Sequence, residues 1–526
     1  MLWAIITVAI LILIIWKGYL QPYSYWKKMG VPQTNPIILL GDAWPLFLGY
    51  KNPIEWMYWI YNLYPDKKLI GIYQFYMPFL LLKDPDLFKQ IAVKDFDYFT
   101  DHKGLSVSED VDPLWGKNLF SLKGQRWREM RSLLSGSFTS SKMRIMYTLI
   151  AEESKKFANH FEKKKEVFMD VELKDIFTRY TNDVIASTSF GIKVDSLENP
   201  SNEFFQMGTE VTSLSGFLFF MKFMGLTLVP KLFKLFNIGL LPKKASKYFE
   251  TTINETIKIR EEQQIKRPDM INLLLEIKKG INNREEADVS DSGFAVVQEF
   301  SEIVKSNKKQ VEITNLDITS QALIFFLAGF DTVSYGMCYT CYELALNPKV
   351  QDTLRQEITS FYTQTKGKPS YEDILGMKYL DMVISESLRK WPPAPATDRI
   401  CTKPYTLNSD TDIHLNKGDT ILIPIYSIHH DPNYYPDPEK FIPERFSEEN
   451  KDKINPYTYM PFGIGPRACI GSRFALLEIK SVLFHFLHKF EIVPTKKTQI
   501  PLKFNKIAMN LKPQTGFELG LKRISV

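Results

Sequence analysis

The chain has 526 residues, of which 44% are hydrophobic and 13% aromatic, a composition that can bury a large core and excludes an intrinsically disordered protein. With 66 basic against 60 acidic residues the formal net charge is +6, an excess too small to indicate a nucleic-acid-binding protein. The four cysteines are too few for a disulfide framework at this length, which favours a reducing compartment.

The first residues predict a membrane anchor. Residues 2–16 are almost entirely apolar, no Lys or Arg precedes them, and no small-residue cleavage site follows. Lys17 and Lys27 lie on the C-terminal side, which the positive-inside rule assigns to the cytoplasm. We therefore expect a signal-anchor over residues 1–20 and a hinge over residues 21–36; a cleaved signal peptide is the alternative.

Residues 122–290 predict mainly helices, and one part of them is unusually apolar and aromatic. This part, residues 216–241, is interrupted by Lys222, Lys231 and Lys234, which exclude a clean membrane span. Two interpretations stay open for it: an apolar patch at a membrane interface, or a buried pair of helices.

A long helix is predicted next. Thr314 and Asp317 form a capping-box pattern, and Asn347-Pro348 ends the apolar run that follows. About thirty residues at 1.5 Å each would span about 45 Å, enough to cross a whole domain. Strand signals come later, at residues 420–425, 490–493 and 516–521, so the predicted fold class is mainly α with small peripheral β-sheets.

The middle of the long helix carries the sequence Ala328-Gly329-Phe330-Asp331-Thr332. A glycine inside a helix is a place where the helix can loosen or open a bulge. An adjacent acid and hydroxyl can pass protons toward a bound oxygen species. For this pentapeptide alone, a glycine-packed helix crossing with a solvated aspartate is the alternative.

One cysteine, Cys469, stands in a glycine-rich loop over residues 462–471, with Arg467 two residues before it. Such a loop lets the backbone approach a large flat ligand closely. The cysteine can offer iron a thiolate, and the arginine can meet a carboxylate of the same cofactor. A buried free cysteine in a turn is the alternative.

The loop matches, at every fixed position, the FxxGxRxCxG haem-binding signature of the cytochrome P450 family, and the chain resembles that family over nearly its whole length. Further motifs stand in the family's order: WxxxR at residues 127–131, the AGFDT segment, ExxR at residues 386–389 and PERF at residues 443–446. The FFLAGFDT core and residues 190–197 resemble microsomal P450s of the insect detoxification type, akin to the vertebrate drug-metabolising branch.

The resemblance implies the cytochrome P450 fold: one large haem-thiolate domain over residues 37–526 plus the N-terminal anchor, in place of the three or four domains that length alone predicts. It implies a haem b cofactor and assigns the site residues. Metal ligation falls to Cys469; cofactor contacts fall to Trp127, Arg131, Arg467, Phe462, Gly463 and Cys469; proton delivery falls to Thr332 with its acidic neighbour Asp331.

Three further assignments follow from the same resemblance. Arg445 would join Glu386 and Arg389 in a buried charged triad, to which we give a structural role because desolvated charges need full hydrogen bonding. Arg399 and His102 are open candidates for contacts with the haem. The walls of a substrate pocket are the residues Phe120, Phe326, Phe330 and 394–396, although aromatic residues at helical spacing are more often plain core.

The implied function is a monooxygenase that inserts one oxygen atom of O2 into small lipophilic xenobiotics; hydroxylation of an endogenous hormone or fatty acid is an alternative. Electrons would come from NADPH through a separate NADPH–cytochrome P450 reductase, because no dinucleotide fingerprint follows a strand here. The basic residues Lys123, Arg126 and Arg128 could attract an acidic reductase surface, or form a solvated helix face. Cytochrome b5 is a second candidate partner.

The expected location is the endoplasmic reticulum membrane, with the lipid bilayer holding the anchor and the catalytic domain in the cytosol. No nucleic-acid partner is expected. Two other classes stay open: a reductase-independent haem-thiolate isomerase or dehydratase, and a non-catalytic haem sensor. Asp331 and Thr332 argue against the first, since proton delivery matters only when dioxygen is cleaved.

Overall fold

The structure is a computed structural model of the chain, and it describes residues 21–104, 107–213, 217–236, 238–267, 269–280, 293–296, 313–409, 412–506 and 511–524. The expected anchor over residues 1–20 lies outside the described residues.

Helices make up most of the described part, as the composition and periodicity predict. The helices are α1 (Tyr25–Lys28), α2 (Trp44–Phe47), α3 (Pro53–Asn62), α4 (Pro85–Lys89), α5 (Pro113–Gly116), α6 (Gly124–Ser135), α7 (Ser140–Lys163), α8 (Leu173–Ile185), α9 (Glu203–Thr212), α10 (Phe217–Leu228), α11 (Pro230–Leu235), α12 (Lys243–Gln263), α13 (Met270–Lys278), α14 (Asn315–Leu346), α15 (Pro348–Thr365), α16 (Tyr371–Gly376), α17 (Lys378–Lys390), α18 (Ile425–His429) and α19 (Ser472–Lys489). Short 3₁₀ or π turns connect some of them, among them Gln90–Lys94, Gly136–Phe138, Ala186–Phe190, Pro443–Phe446 and Gly465–Arg467.

The described strands form small sheets beside the helices. They are β1 (Leu69–Gln74), β2 (Met77–Leu82), β3 (Phe168–Glu172), β4 (Thr397–Ile400), β5 (Tyr405–Leu407), β6 (Ile413–Leu415), β7 (Thr420–Ile423), β8 (Phe490–Pro494) and β9 (Glu518–Arg523). Their orders are β1-β2-β7-β4, β3-β9-β8 and β5-β6. In the first sheet, the β1–β2 hairpin is antiparallel, whereas β2 and β7 pair in parallel, with Phe79 opposite Thr420. The predicted fold class is confirmed.

Helix α14 begins and ends where the sequence predicts. The Thr314 hydroxyl accepts from the Asp317 N–H at 3.2 Å, and the Asp317 carboxylate accepts from the Thr314 N–H at 2.9 Å. Among the described helices, α14 has the length and hydropathy of a membrane span, but 67% of its most apolar window is buried inside the protein. It is the central core helix, and it packs against α8, α9, α12, α17 and α19.

Gly329 does not open a bulge in α14, because the helix continues without interruption through residues 315–346. A Cβ atom at position 329 would lie 2.9 Å from Ile185 Cδ1 of α8. The glycine therefore lets α8 and α14 approach closely, and the expected local loosening is replaced by tight helix packing.

The predicted hinge segment packs on the domain instead of standing away from it. Trp26 is fully buried, and a Cβ at Gly71 of β1 would lie 2.3 Å from the Trp26 ring. Thr34 donates its backbone N–H to the Gly71 carbonyl at 3.1 Å. These contacts attach residues 26–34 to the edge of the first sheet.

The apolar segment between α9 and α12 forms the helices α10 and α11. Helix α11 has no buried residue, so a buried helix pair is the wrong interpretation for it. Its surroundings expose large apolar side chains: Met221 (51%), Val229 (47%), Leu232 (49%), Leu235 (76%) and Phe236 (63%). Lys231 and Lys234 are exposed on the same short helix.

Candidate functional site

The Cys469 loop is a tight turn pressed against the π turn that follows α4. The Cys469 N–H donates to the Phe462 carbonyl at 2.8 Å, closing the loop on itself. Gly463 and Gly465 have φ angles of +79° and +71°, which residues other than glycine rarely adopt. A Cβ at position 465 would lie 1.9 Å from the Ala92 carbonyl oxygen, so only glycine permits this approach.

Cys469 lies deep in the protein and yet is accessible to solvent. Its neighbours Ala468 (1%) and Ile464 (7%) are buried, whereas Cys469 itself is exposed. Burial nevertheless raises the pKa of the Cys469 thiol, while hydrogen bonding from Gly471 and the charge of Arg131 lower it. We infer that the sulfur faces an internal space that protein encloses.

Part of helix α14 is accessible too, and we infer that it borders the same internal space. Ala328 and Thr332, one turn apart in the middle of this buried helix, are exposed. The Thr332 hydroxyl donates to the Ala328 carbonyl at 2.5 Å. Phe138 connects helix and loop: its ring centroid lies 5.6 Å from that of Phe325, and its edge lies 3.7 Å from a Cβ built on Gly471.

Arg467 extends from the loop into a ring of backbone carbonyls. It donates to Thr100 O at 2.7 Å and to Leu122 O at 2.8 Å, and its side chain is 2% exposed. Its guanidinium carbon lies 4.0 Å from the centroid of the buried Trp127 ring. The nearest carboxylate oxygen, from Asp101, is 3.7 Å away.

Arg399 is a second buried guanidinium at the site. It is 1% exposed, donates to Ile464 O at 2.7 Å and to Asp398 O at 2.7 Å, and leaves its buried Nε without a partner. Burial lowers the pKa of Arg399 to about 10. Burial, followed by the charges of Arg399 and Arg131, lowers the pKa of Arg467 as well, so three guanidiniums lie close enough to repel one another.

His102 is a further buried polar residue, in contact with Asp398 beside Arg399. Its Nδ1 lies 2.9 Å from Asp398 O, and its ring stacks on Phe120 with centroids 5.4 Å apart. Burial lowers the pKa of His102, which keeps the imidazole neutral. Burial alone would raise the pKa of Asp398, but hydrogen bonds from the His102 ring and the Lys103 N–H, together with the charge of Arg399, bring it down to about 2.

These residues fit a haem. Buried positive charges that repel one another need an anion to be stable, and two carboxylates of one ligand would supply it. Across the described residues, no group of three or more His, Cys, Asp and Glu side chains converges on one point.

Asp331 faces away from Thr332, its neighbour in the sequence. Its carboxylate lies 2.5 Å from the ammonium of Lys174 on α8. Lys174 also donates to Ser334 Oγ at 2.6 Å and lies 4.2 Å from the Tyr335 ring centroid. Sequence reasoning missed Lys174, because nothing in its local sequence marks a residue that meets the helix 157 positions later.

The charged triad behind the loop is confirmed. Glu386 and Arg389 are fully buried and joined by two hydrogen bonds of 2.7 and 2.9 Å, and Arg445 approaches the same carboxylate at 3.4 Å. The buried His429 was not predicted: its Nδ1 lies 2.9 Å from Arg389 O, and its Nε2 accepts from the Met460 N–H at 2.9 Å. Burial lowers the pKa of His429 to about 3, so it stays neutral and can accept that bond.

The candidate pocket walls divide into two groups. Phe326 and Phe330 are 0% and 2% exposed and pack with Phe204 and Phe249 as core residues. Phe120 is 37% exposed and Ala394 is exposed, so these two remain candidates for the wall of the internal space.

Known proteins resemble this chain along nearly its whole length. A family model described as "Cytochrome P450" matches residues 32–520. "Cytochrome P450 9e2" of Blattella germanica is 44% identical over 95% of this chain and 94% of that protein. "Probable cytochrome P450 9f2" of Drosophila melanogaster is 40% identical over 95% of each, and "Cytochrome P450 6k1" of Blattella germanica is 35% identical over 98% and 96%. The matched residues include every element around Cys469.

Proposed function

The chain belongs to the cytochrome P450 family, and from that premise we propose which of its residues perform the family's chemistry, on what substrates and in which membrane. As a member of the family it is a monooxygenase with a haem cofactor, and it depends on a redox partner for electrons. The roles of individual residues follow from the arrangement around the internal space.

Cys469 is the proposed iron ligand, and one observation carries this proposal. Its sulfur is accessible within the interior of the protein, beside the buried guanidiniums of Arg467 and Arg399. The backbone of Phe462 and Gly463 would support the flat ring from below, since the glycine keeps side chains away. When bound, the haem supplies the redox chemistry that cleaves dioxygen.

The propionate anchors are proposed to be Arg131, Arg467 and Trp127, joined by Arg399 and His102. Arg131 and Arg399 lower the pKa of Arg467 through their charges, so both lie near it. The buried Nε of Arg399 has no partner and is available to a carboxylate. Charge-assisted bonds of this kind are about twice as strong as neutral ones and fix the orientation of the ring.

Thr332 is proposed to deliver protons, with Asp331 as a separate acidic group on another side of α14. Lys174 and Asp331 are 19% and 31% exposed and form an ion pair at the outer side of α14. Thr332 faces the internal space, and its hydroxyl is held by Ala328 O. Asp331 would take up a proton at the solvent side, and the Thr332 Oγ would hold one at the space where oxygen reacts.

The iron ligand can be tested with two cysteine variants of the full-length protein. We expect Cys469→Ala to lose the red-shifted Soret band of the reduced carbon monoxide complex, because only a thiolate ligand produces it. Cys401→Ala is the control: Cys401 is fully buried, and its thiol donates to the Lys403 carbonyl, away from the loop. A full thiolate band in Cys469→Ala would contradict the assignment.

The substrates are proposed to be small lipophilic xenobiotics, since the walls that remain, Phe120 and Ala394, are aromatic or small. A panel of insecticides, plant toxins, fatty acids and hormones, assayed in membranes with NADPH and reductase, tests this. Preferred turnover of fatty acids or hormones would favour the endogenous alternative. Turnover without NADPH and reductase would favour an isomerase or dehydratase. If no compound were turned over, the result would favour a haem sensor.

The electron donor is proposed to be NADPH–cytochrome P450 reductase, with cytochrome b5 as a second candidate. The basic residues near α6 support this only weakly. Arg126 pairs with Glu109 at 3.0 Å and Asp317 at 3.1 Å, and Arg128 pairs with Asp97 at 2.5 Å. Of the predicted set, the exposed Lys123 is the better candidate for a contact.

The proposed location is the endoplasmic reticulum membrane, with residues 1–20 as anchor and residues 37–526 in the cytosol. Two apolar surfaces of the described part support contact with a bilayer. The first is the α11 surface, which includes Leu235 and Phe236; the second includes Leu39 (58%) and Leu48 (59%). Exposed apolar side chains beside lysines suit the membrane–water interface.

A further inference from the structure

Four described residues between α13 and α14, Gly293–Val296, dock on elements far away in the sequence, and we call them the strap. Ala295 is 4% exposed and belongs to the main core, and Phe294 and Val296 pack against that core. The strap's contacts come from α17, α19 and the segment between α18 and the Cys469 loop. A short peptide of this chain therefore occupies a surface built by other parts of it.

A buried ion pair anchors the strap's backbone. Asp381, in the first turn of α17, accepts from the Phe294 N–H at 2.9 Å. Its other oxygen lies 2.7 Å from the ammonium of Lys480, whose side chain is fully buried. Neither the Asp381 Oδ1 nor the Lys480 Nζ makes a hydrogen bond within the described part of the chain, so the contact between them is electrostatic.

Gly293 covers this ion pair. Its φ angle is +97°, and a Cβ there would lie 2.2 Å from the Asp381 Oδ1 and 3.2 Å from the Lys480 Nζ. A bare backbone thus lies directly over the pair and shields part of it from water, with the Lys480 side chain fully buried and that of Asp381 17% exposed. Because charges attract more strongly where water is excluded, the strap and the ion pair stabilise each other.

An aromatic contact anchors the strap's side chain. The Phe294 ring centroid lies 4.9 Å from that of Phe446 and 5.2 Å from that of Tyr459. The rings of Phe446 and Tyr459 are themselves 5.0 Å apart. Phe294 therefore closes a cluster of three rings in edge-on and tilted geometries, which aromatic side chains favour beyond simple burial.

The residues that receive the strap also support the Cys469 loop. Phe446 follows Arg445, the outer member of the charged triad. The Tyr459 hydroxyl donates to Ser385 O at 2.9 Å, and the Tyr459 ring stacks on His429 at 5.7 Å. Tyr459 stands three positions before Phe462, at which the loop begins.

We propose that the strap is an intramolecular ligand that positions the framework behind the Cys469 loop, so that its docking helps to keep the sulfur in place. Phe294 and Gly293 are positioning residues, because they act through Phe446, Tyr459 and Asp381 and touch neither cofactor nor substrate. The effect on the sulfur rests on the proposed role of Cys469 as iron ligand, whereas the docking itself does not.

Two glycine variants of the full-length protein test the proposal. Gly293→Ala places a methyl group against Asp381, whereas Gly418→Ala, at φ +102°, meets no atom within 4 Å. Both changes place an alanine at a positive φ angle and cause a similar backbone strain. Any difference between the effects of the two variants therefore reports the displacement of the strap. We expect Gly293→Ala to raise amide hydrogen exchange over residues 443–462 about tenfold while α7 and α8 stay protected, and Gly418→Ala to leave all of these unchanged.

The second readout is the thiolate band of the reduced carbon monoxide complex. We expect this band to decay several-fold faster in Gly293→Ala than in Gly418→Ala. Equal hydrogen exchange in the two variants would overturn the docking, and faster exchange with an unchanged band would overturn the positioning. If wild type itself lacked the band, the role of Cys469 would be wrong while the exchange result would still stand.

Two variants of Phe294 keep the test decisive if Gly293→Ala fails to fold. Phe294→Ala removes the ring from the aromatic cluster, and Phe294→Leu retains an apolar side chain of similar size. We expect the band to decay fast in Phe294→Ala and slowly, as in wild type, in Phe294→Leu. Equal decay in Phe294→Ala and wild type would contradict the proposal.

Discussion

Arg131 is one of the charged side chains that we propose to hold the haem carboxylates. We expect Arg131→Met to speed the transfer of haem to apomyoglobin about tenfold, because one lost charged hydrogen bond is worth about 1.5–3 kcal/mol. Arg128→Met is the matched control, since Arg128 lies on the same helix but pairs with Asp97 at 2.5 Å. Equal transfer rates for both variants would show that Arg131 does not hold the haem.

The hydroxyl of Thr332 is the second residue whose role can be isolated. We expect Thr332→Ala to lower the rate of product formation about a hundredfold while NADPH consumption continues, since a positioned proton donor is lost. Thr319→Ala is the control, because Thr319 makes the same local bond, to Asn315 O at 2.9 Å, but is fully buried. Product formation and NADPH consumption are measured in the same assay. Equal product per NADPH in Thr332→Ala and Thr319→Ala would contradict the role of Thr332.

The residues that the sequence revealed at the site are those that stand in short motifs. Cys469, Arg467 and Trp127 each occupy a fixed place in a local pattern. Lys174 and His429 could not be found in this way, because each meets its partner only after the chain has folded. Asp331 illustrates the same limit. The sequence shows its position next to Thr332, but the direction of its side chain depends on the ion pair with Lys174.

Between elements, the contact of α8 with α14 depends on the missing side chain of Gly329. We expect Gly329→Ala to lower the free energy of unfolding, because overpacking costs about 1–3 kcal/mol against about 1 kcal/mol gained in helix propensity. Ile185→Val removes the Cδ1 atom that a Cβ at position 329 would meet at 2.9 Å. The double variant should then recover about 1 kcal/mol relative to the sum of the single changes.

Urea unfolding of the wild type and the three variants gives the coupling directly. If the two single changes add to within about 0.3 kcal/mol, the two side chains do not meet and the close approach of the helices has another cause. A stabilising Gly329→Ala would likewise show that α8 moves away without cost.

Elements whose ends are marked locally were predicted well, and elements defined by remote partners were not. The capping box at Thr314 and the Asn347-Pro348 stop gave both ends of α14. The partnership of β2 with β7 could not be read from the sequence, since Phe79 and Thr420 are separated by about 340 residues. The docking of the strap could not be predicted for the same reason, because Asp381, which accepts the Phe294 N–H, lies 87 positions later in the chain.

For the molecule as a whole, the α11 surface predicts its orientation at a membrane. We expect an environment-sensitive fluorophore on Leu235→Cys to shift to the blue when phosphatidylcholine–phosphatidylserine vesicles are added to the full-length protein. The emission of the same fluorophore on Val167→Cys should not shift when the vesicles are added. The two positions are 76% and 74% exposed, so they differ in location and not in accessibility.

A blue shift at both positions would indicate unspecific adsorption, and a shift at neither would mean that the α11 surface stays in water. Either result would contradict the proposed contact of the α11 surface with the bilayer. The apolar side chains of α11 would then need a protein partner, because apolar patches of this kind are rare on soluble surfaces.

The parallel pairing of β2 with β7 also sets an order of events during synthesis. The β1–β2 hairpin leaves the ribosome early, but the strand that covers its edge starts at Thr420. At about 5–20 residues per second, the edge stays open for tens of seconds, with a row of unpaired backbone groups that can recruit a foreign strand. Neighbouring nascent copies therefore have to be kept apart until about four-fifths of the protein has been made.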